Sequence, residues 1–240
     1  MKSAKLLFGI ATIILLAGCA SSGDKPLTAK GLFDRHVEVA YGGKGMGIHP
    51  SVTQQATFFM DDFGIEAPIE VKVMDGGNMV FGGEIMGMAT SQGCNPSGCW
   101  NQQPGQGVAD LEGEMLDNFR IQADIRGWEN IDKYYESLEI VTPENPADAT
   151  EYTVKAVSKY GRENLYYFSK ETGLLTGMTI TSDSPMGVTT QNTSLKEYKD
   201  FGGILWATVN ETSTAMGAFR IVTENVSYEP LSAKDFMRPE

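Results

Sequence analysis

The sequence predicts an α+β protein that is mainly β, with one strongly curved antiparallel sheet of about ten strands and two or three helices covering its concave side. Short runs that alternate between apolar and polar residues, or are apolar throughout, recur from residue 51 to residue 228. Turn sequences rich in Asp, Gly and Ser separate these runs. Helical spacing, by contrast, occurs near the start and the middle of the chain. A sheet of this length is expected to bend around a hollow, which the helices would fill.

The first 18 residues have the features of a secretory signal. Lys2 and Lys5 form a basic start, an apolar stretch runs from Leu6 to Leu16, and small residues precede Cys19. The apolar stretch is too short to span a bilayer as a helix, which needs about 20 residues. The segment resembles a bacterial lipobox, in which the cysteine is lipidated with acyl chains such as palmitate and becomes the first residue of the mature protein. The alternatives are an ordinary signal peptide with an incidental cysteine and a membrane anchor.

The predicted domain organisation follows from this signal. Residues 1–18 form a lipoprotein signal peptide, residues 19–26 a lipidated tether, and residues 27–240 a single domain. The residue after Cys19 is Ala20 rather than an aspartate, which resembles a signal for onward transport to the outer membrane. We therefore predict a lipid-anchored protein on the periplasm-facing side of the outer membrane.

The charge of the chain excludes nucleic acid as a partner. The formal net charge is −12, and removal of the two lysines of the signal peptide changes it to −14. Nucleic-acid binding needs clustered basic residues, and electrostatic docking on anionic lipid needs a basic surface. The lipid is therefore expected to attach the chain to the membrane while the acidic domain stays in water.

Helical spacing is confined to two parts of the domain. Leu27–Tyr41 is predicted to be a helix, since Thr28 can cap its N-terminus and apolar residues recur at helical spacing until a pair of glycines ends it. A second helix is predicted at Asp110–Gly127, with Asp110 as its cap. A short helix or turn is expected to follow at Trp128–Ser137.

The predicted strands form two groups, one before and one after the second helix. Runs such as Asp75-Gly76-Gly77 and Lys170-Glu171-Thr172-Gly173 mark the turns between them. The predicted strands are Ser51–Met60, Ala67–Met74, Asn78–Thr90, Leu138–Thr142, Thr150–Lys159, Glu163–Ser169, Leu174–Thr181, Gly187–Tyr198, Ile204–Ser213 and Ala218–Tyr228.

Cys94 and Cys99 are expected to form a structural disulfide. With Cys19 lipidated they are the two cysteines that remain, and an even pair in an oxidising compartment is expected to be bonded. The Asn-Pro-Ser-Gly sequence between them suits a hairpin turn, which would place the two cysteines opposite each other. A zinc site would lack two further ligands, and redox pairs usually have two residues between the cysteines.

The sequence contains no pattern typical of a catalytic, metal or cofactor site. His36 and His49 are its only histidines, and His36, beside Arg35 on a helix face, is expected to point to solvent. Met86 and Met88 would project from one strand face, so a Cu(I) site is an alternative to methionines that line an apolar cavity or core. The chain has neither a nucleophile elbow nor a phosphate-binding loop. We therefore predict no enzyme activity, no bound metal and no cofactor.

Several stretches together resemble the LolA/LolB-like periplasmic lipoprotein-carrier domains. They are LFDRHVEVAYGG from Leu32, SVTQQATFFM from Ser51, CWNQQPGQGVADLEGEML from Cys99, YYFSKETGLLTGM from Tyr166, EYKDFGGILWATVNET from Glu197 and FRIVTENVSYEPLSAKDFMRP from Phe219. Each stretch alone is weakly specific, and their order and spacing over nearly the whole mature chain carry the resemblance. It implies an unclosed half-barrel with helices over its mouth and an apolar cavity for acyl chains or lipidated peptides. A lipobox departs from the soluble carriers and is more typical of a receptor or acceptor.

We predict a membrane-anchored periplasmic lipoprotein that binds an apolar ligand, such as an acyl chain, a lipid or a lipidated peptide, in lipoprotein or envelope-lipid trafficking or sensing. The alternative is a structural or interaction lipoprotein that docks an envelope protein complex without a small ligand. Strand residues with aromatic or thioether side chains are the candidates for the cavity lining, and a filled core is the competing interpretation. The candidate ligand-binding residues are Phe58, Met60, Phe81, Met86, Met88, Trp100, Tyr167 and Trp206.

Overall fold

A computed structural model of the chain describes residues 27–85, 87–102, 107–142, 148–184, 187–215 and 217–239. The predicted signal peptide, Cys19, the tether and Met86 lie outside the described residues. Within the described ranges the chain forms two α-helices, four short 3-10 helices and thirteen strands. Neither described helix has the length and apolar character that crossing a membrane requires.

The helices lie where their spacing predicts, with shorter bounds. Helix α1 spans Ala29–Ala40, and the Thr28 hydroxyl accepts a hydrogen bond from the Gly31 N–H (3.0 Å), which confirms the predicted cap. Helix α2 spans Gly113–Ala123, and Asp110 does not cap it because that residue lies in a strand. The 3-10 helices are Met46–Ile48, Asp61–Phe63, Ile131–Lys133 and Ala233–Phe236.

The described strands all belong to one antiparallel sheet. They are β1 (Ser51–Met60), β2 (Ile65–Met74), β3 (Asn78–Ile85), β4 (Met88–Asn95), β5 (Gly98–Gln102), β6 (Val108–Asp110), β7 (Ser137–Val141), β8 (Glu151–Val157), β9 (Glu163–Ser169), β10 (Leu175–Ser184), β11 (Gly187–Phe201), β12 (Ile204–Thr214) and β13 (Gly217–Ser227). Their order across the sheet is β6-β5-β4-β3-β2-β1-β13-β12-β11-β10-β9-β8-β7. Two meanders, β1 to β6 and β7 to β13, are therefore joined where the first strand pairs with the last. Strands β6 and β7 are the two edges, so the sheet is not closed into a barrel.

This open sheet corrects the predicted half-barrel in its strand count, which is thirteen among the described residues rather than about ten, and in its curvature. The additional strands have local causes. The stretch Asn78–Thr90, predicted as one strand, turns at Gly87, whose φ of 75° is a left-handed conformation that favours glycine. Strands β5 and β6 have five and three residues, too few for alternation to distinguish them from a loop.

The disulfide closes the β4–β5 hairpin, as the sequence predicts. Cys94 and Cys99 are directly opposite in the strand register, their Cα atoms are 4.0 Å apart, and their sulfurs are bonded. The Asn95 side-chain oxygen accepts a hydrogen bond from the Ser97 N–H (2.9 Å) and so stabilises the turn. Both cysteines are buried in an apolar cluster with residues of α2, so the disulfide is part of the core.

Three apolar clusters pack the helices against one face of the sheet, which we call the inner face. The α1 cluster, with Phe33 and Phe168, joins α1 to β8, β9 and β10. The α2 cluster, with Phe119 and Met79, joins α2 to β2, β3, β4 and β5. The base cluster, with Ile204, joins the C-terminal end of α1 to the start of β12. The apolar side chains of each wing of the sheet therefore pack against a different helix.

The opposite, outer face of β3 and β4 is covered by the C-terminal segment. Phe236 is fully buried there, and its carbonyl accepts a hydrogen bond from the Asn95 side-chain amide (3.0 Å). Trp100 is buried on this same face, directly over Gly93. A Cβ added to Gly93 would lie 2.4 Å from the indole ring, so glycine is required at this position. This packing directs Trp100 away from the inner face.

The structure also corrects the expectation that His36 points to solvent, because its side chain is buried between α1 and the start of β10. Its Nδ1 accepts a hydrogen bond from the Leu175 N–H (3.2 Å). Burial lowers its pKa from 6.5 to about 4, so the ring is neutral at neutral pH. The aromatic rings around it are those of Tyr41, Trp128, Phe168 and Tyr198.

The buried imidazole makes the stability of the protein depend on pH. Because the pKa of folded His36 lies below the unfolded value of 6.5, its contribution is fully present above that pH and is lost as the pH falls towards 4. A pKa difference of this size corresponds to about 3 kcal/mol in the free energy of unfolding. We expect His36→Asn, whose side-chain oxygen can replace Nδ1 as acceptor, to remove most of this dependence. Urea unfolding at pH 7 and at about pH 4.5 measures it, and an equal loss in both proteins would contradict the assignment.

Candidate functional site

A row of directly paired side chains crosses the middle of the inner face. In order across β2, β1, β13, β12 and β11, the row consists of Ala67, Phe58, Ile221, Asn210 and Leu195. Residues directly opposite each other in an antiparallel pair project to the same face of the sheet. Ala67 is fully buried, and Leu195 packs against the α1 cluster, which identifies this face as the inner one. The row is apolar apart from Asn210.

A second row runs beside the first, closer to the β12–β13 turn. Thr212 and Thr193 lie in it, and their hydroxyls are hydrogen-bonded to each other (2.9 Å). The whole row, from β13 to β7, is Phe219, Thr212, Thr193, Met178, Tyr166, Val154 and Ile140. It connects the central strands with the α1 cluster, which contains Tyr166 and Val154.

We call Phe58, Ala67, Phe219 and Ile221 the central patch. The Phe58 and Phe219 rings are 5.5 Å apart, and these two residues and Ile221 are only half-buried. Within the described part of the chain, the patch belongs to none of the three clusters. Apolar side chains that a fold leaves partly exposed next to one another are typical of a ligand or partner site.

Helix α2 reaches both wings of the sheet with two chemically different sides. Phe119 and its apolar neighbours on the helix pack in the α2 cluster. From the other side, Glu114 Oε2 accepts hydrogen bonds from Arg162 Nε (3.5 Å) and from the Asp183 N–H (3.3 Å), next to β9 and in β10. Asp117, on the next turn, pairs with Lys159 (2.8 Å). The helix is therefore held by apolar packing on one wing and by polar contacts on the other.

Some buried polar atoms have no hydrogen-bond partner in the described part of the chain. They are Trp100 Nε1, Glu114 Oε1, Asn118 Nδ2 and Asn210 Oδ1. Trp100 lies on the outer face, whereas the other three belong to α2 and to the inner face of β12. A buried polar atom left without a partner costs about 1–3 kcal/mol. The α2 side of the sheet therefore contains hydrogen-bonding capacity that the protein does not use internally.

The α1 cluster contains a hydrogen-bonded tyrosine pair that has a structural role rather than a role in proton transfer. The hydroxyls of Tyr135 and Tyr166 are 2.5 Å apart, and the Asn164 side chain donates to Tyr135 (3.1 Å). Burial raises the pKa of Tyr135 and raises that of Tyr166 well above its ordinary value. Both tyrosine hydroxyls therefore stay protonated, and neither has the pKa near neutrality that a general base needs.

Four of the candidate ligand-binding residues predicted from the sequence lie on the inner side of the N-terminal strands. Phe58 is in the central patch, and Met60 follows it, half-buried, on the same face of β1. Phe81 packs against the α2 cluster, and Met88, at the start of β4, is 43% exposed. Because Met86 lies outside the described residues, the paired-methionine copper site stays an untested alternative. The described ranges contain no group of three or more His, Cys, Asp and Glu side chains that could hold a metal ion.

The other three candidate residues lie elsewhere. Trp100 and Tyr167 project from the outer face. Tyr167 is hydrogen-bonded to Thr179 (3.2 Å) and lines an open depression of about 210 Å³. A second open depression, of about 390 Å³, is lined by Asp61, Asp62 and residues of β11, β12 and β13, Phe219 among them. Trp206 packs in the base cluster and donates to the Tyr228 hydroxyl (2.8 Å). These three residues are therefore not part of the central patch.

Sequence reasoning missed three of the four residues of the central patch, and it missed Asn210. Alternation places Phe219 and Ile221 on one face of their strand, but it does not say whether that face is the inner one. The answer depends on the pairing of β1 with β13. This pairing brings together residues that are far apart in the sequence, such as Thr57 and Glu224, which are separated by 167 positions. The tertiary fold therefore decides that Phe219 and Ile221 lie on the same face of the sheet as the helices.

The geometry of this sheet has known counterparts, although no protein-family model and no curated protein sequence matches the chain. A LolA superfamily protein from Nitrosomonas europaea matches with a TM-score of 0.58 and 12% identity, over 88% of this chain and 98% of that one. The chain has a LolA-like fold. A DUF1329 family protein from Desulfovibrio piger matches this chain with a TM-score of 0.56 and 14% identity, over 87% of this chain and 97% of that one. At these identities the likeness establishes the LolA-like fold alone, so a function has to be argued from the chain's own residues.

Proposed function

We propose that the protein is a lipid-anchored periplasmic lipoprotein whose central patch binds an apolar ligand, such as an acyl chain, a lipid or a lipidated peptide. The observation that carries the proposal is the central patch itself, with four adjacent apolar side chains outside all three clusters of the described chain. The LolA-like fold and the lipobox sequence support it. Residues 27–240 act as a single binding domain, and its task lies in the trafficking or sensing of lipoproteins or envelope lipids.

The physical basis of binding is the removal of apolar surface from water. Each Å² of apolar surface covered by the ligand contributes about 25 cal/mol, from which the cost of ordering the ligand is subtracted. The two rows across the inner face contain no charged side chain, so an acyl chain would displace no ion from water there. The interaction requires no covalent chemistry and no cofactor.

We expect Ile221→Lys to abolish binding, because the ammonium group would be placed in the middle of the patch. Displacement of a fluorescent fatty acid from the purified protein measures the affinity, and mass spectrometry identifies acyl lipids that copurify. The expected loss is at least tenfold, since burial of an unpaired charge costs more than 1.4 kcal/mol.

The matched control is Val222→Lys, because Val222 is the next residue of β13 and faces the outer side, opposite Thr57 and Val209. It should bind the probe like the unaltered protein. Circular dichroism and thermal melting show whether both variants fold. Equal binding by the two lysine variants would place the ligand elsewhere, and an unaltered protein that binds no probe and carries no lipid would refute the proposed function.

We propose in addition that Cys19 is the lipid attachment site and that the protein faces the periplasm from the outer membrane. Replacement of Cys19 by Ala removes the acceptor of the acyl chains, and the net negative charge of the chain disfavours docking on anionic lipid. We expect Cys19→Ala to lose metabolic labelling with a palmitate analogue and to disappear from the outer-membrane fraction. Labelling that persists in this variant would exclude Cys19 as the attachment site.

A second candidate function is docking of an envelope protein complex. Three hairpin ends at the same end of the sheet expose apolar side chains: Phe63 is 65% exposed, Val188 55% and Met88 43%. Phe63 also lies close to the β12–β13 turn, 4.0 Å from the Cβ position of Gly217. Exposed apolar side chains on neighbouring turns are typical of a contact surface.

This candidate predicts that Phe63→Ser weakens crosslinking to a stoichiometric envelope protein in intact cells. Met237→Ser is the matched control, since Met237 is 69% exposed but lies in the C-terminal segment. Loss of the crosslinked product in Phe63→Ser alone supports docking at the hairpin ends. An unchanged product in both variants argues against it.

A further inference from the structure

Asn210 is the one polar residue in the row that crosses the central patch. It lies opposite Ile221 of β13 and opposite Leu195 of β11, and Ile221 in turn lies opposite Phe58. Asparagine is depleted in strands because its side chain competes for backbone hydrogen bonds. A short polar side chain in the middle of an apolar row therefore departs from both strand preference and core packing.

The neighbouring polar residues on the inner face of β12 differ from Asn210 in having partners. The Thr208 hydroxyl donates to the Glu197 carbonyl (2.6 Å), and the Thr212 hydroxyl is bonded to Thr193 (2.9 Å). Asn210 Oδ1 is buried and, among the described residues, has no hydrogen-bond donor. Its position between two satisfied threonines shows that the strand can place polar groups in hydrogen-bonded positions here. The unpartnered oxygen is thus local to the central patch.

A carbonyl oxygen can only accept hydrogen bonds, so its missing partner is a donor. We propose that the central patch binds an acyl chain that carries a hydroxyl or an amide N–H group, and that Asn210 Oδ1 accepts a hydrogen bond from that group. This inference rests on the proposed apolar-ligand site and adds the chemical class of the ligand to it. The aliphatic part lies against Phe58, Phe219 and Ile221, and the single donor fixes the position of the chain along the row.

Other inner-side groups are consistent with a ligand that is not purely aliphatic. Asn118 Nδ2 and Glu114 Oε1, four residues apart on α2, are also buried without partners in the described part of the chain. Side chains four positions apart on a helix are neighbours on its surface. Together they are one unused donor and one unused acceptor on α2, which contacts β10 and strands β3 to β5.

The test compares three ligands of equal chain length on the purified protein: myristic acid, 3-hydroxymyristic acid and N-myristoylglycine. Displacement of a fluorescent fatty acid gives each affinity. We expect a donor-bearing ligand to bind about five- to tenfold more tightly than myristic acid, the effect of one net hydrogen bond. A preference for the hydroxylated acid or for the amide distinguishes the two sources of the donor.

Asn210→Val should abolish this preference and leave the affinity for myristic acid within about twofold, because only the hydrogen bond is lost. Its melting temperature should be equal to or above that of the unaltered protein, since an unpartnered acceptor has been removed. Asn192→Val is the matched control, because Asn192 is an exposed asparagine on the outer face of β11. It should keep the preference. Asn210→Ala serves as a second variant if the valine variant does not fold.

The outcomes separate this inference from the proposed function. If the unaltered protein binds the three ligands equally well, or if the preference survives in Asn210→Val, the inference is wrong while the apolar site stands. If myristic acid and the donor-bearing ligands all fail to bind, both are wrong. A preference that is lost in Asn210→Val and kept in Asn192→Val supports the inference.

Discussion

The pairing of the first strand with the last is the interaction on which the rest of the structure depends. Strands β1 and β13 pair from Thr53 to Phe59, with a shift in register between Gln55 and Ala56. We call this β1–β13 junction the seam. Side-chain hydrogen bonds stabilise it, including those between Gln54 and Thr223 and between Thr57 and Glu224. Without this pairing the two meanders would be separate sheets, each with an additional unpaired edge. Closing a loop of this length has an entropic cost that only a long, well-packed pair of strands can offset.

The position of the seam explains why the central patch is left partly exposed. Thirteen described strands at a spacing of about 4.8 Å span roughly 60 Å. A helix with its side chains is about 10–12 Å wide, and α1 and α2, with twelve and eleven residues, are only about 18 and about 17 Å long. Two helices of this size cannot cover such a sheet, and their apolar sides are already used by the α1 and α2 clusters on the two wings. The strands between the wings consequently keep apolar side chains that no helix buries.

Local sequence patterns predict the helices and strands well, whereas long-range contacts determine which residues form the central patch. Glu163–Ser169 and Ser51–Met60 have the predicted bounds, because alternation and turn residues delimit a strand without reference to its partners. His36 shows the opposite case: its neighbour Arg35 indicates an exposed helix face, yet packing against β10 buries the imidazole. Trp100 is similar, since its aromatic character predicts an apolar contact but the strand register directs it to the outer face, over Gly93. Which face of a strand is the inner one follows from pairing across the seam, and a single sequence does not encode that in any local pattern.

The significance of a buried polar atom without a hydrogen-bond partner depends on its surroundings. Trp100 Nε1 and Asn210 Oδ1 are both buried without a partner in the described chain, but their environments differ. The indole ring fills a packed site on the face that the C-terminal segment covers, so its large apolar surface compensates for one lost hydrogen bond. The Asn210 side chain contributes little apolar surface, and valine or isoleucine at that position would extend the apolar row from Phe58 to Leu195 without interruption. A residue that lowers stability where a better strand former would fit is expected at sites that serve a function. The strand seam, the half-buried patch and this asparagine therefore point to the same place on the inner face of the sheet.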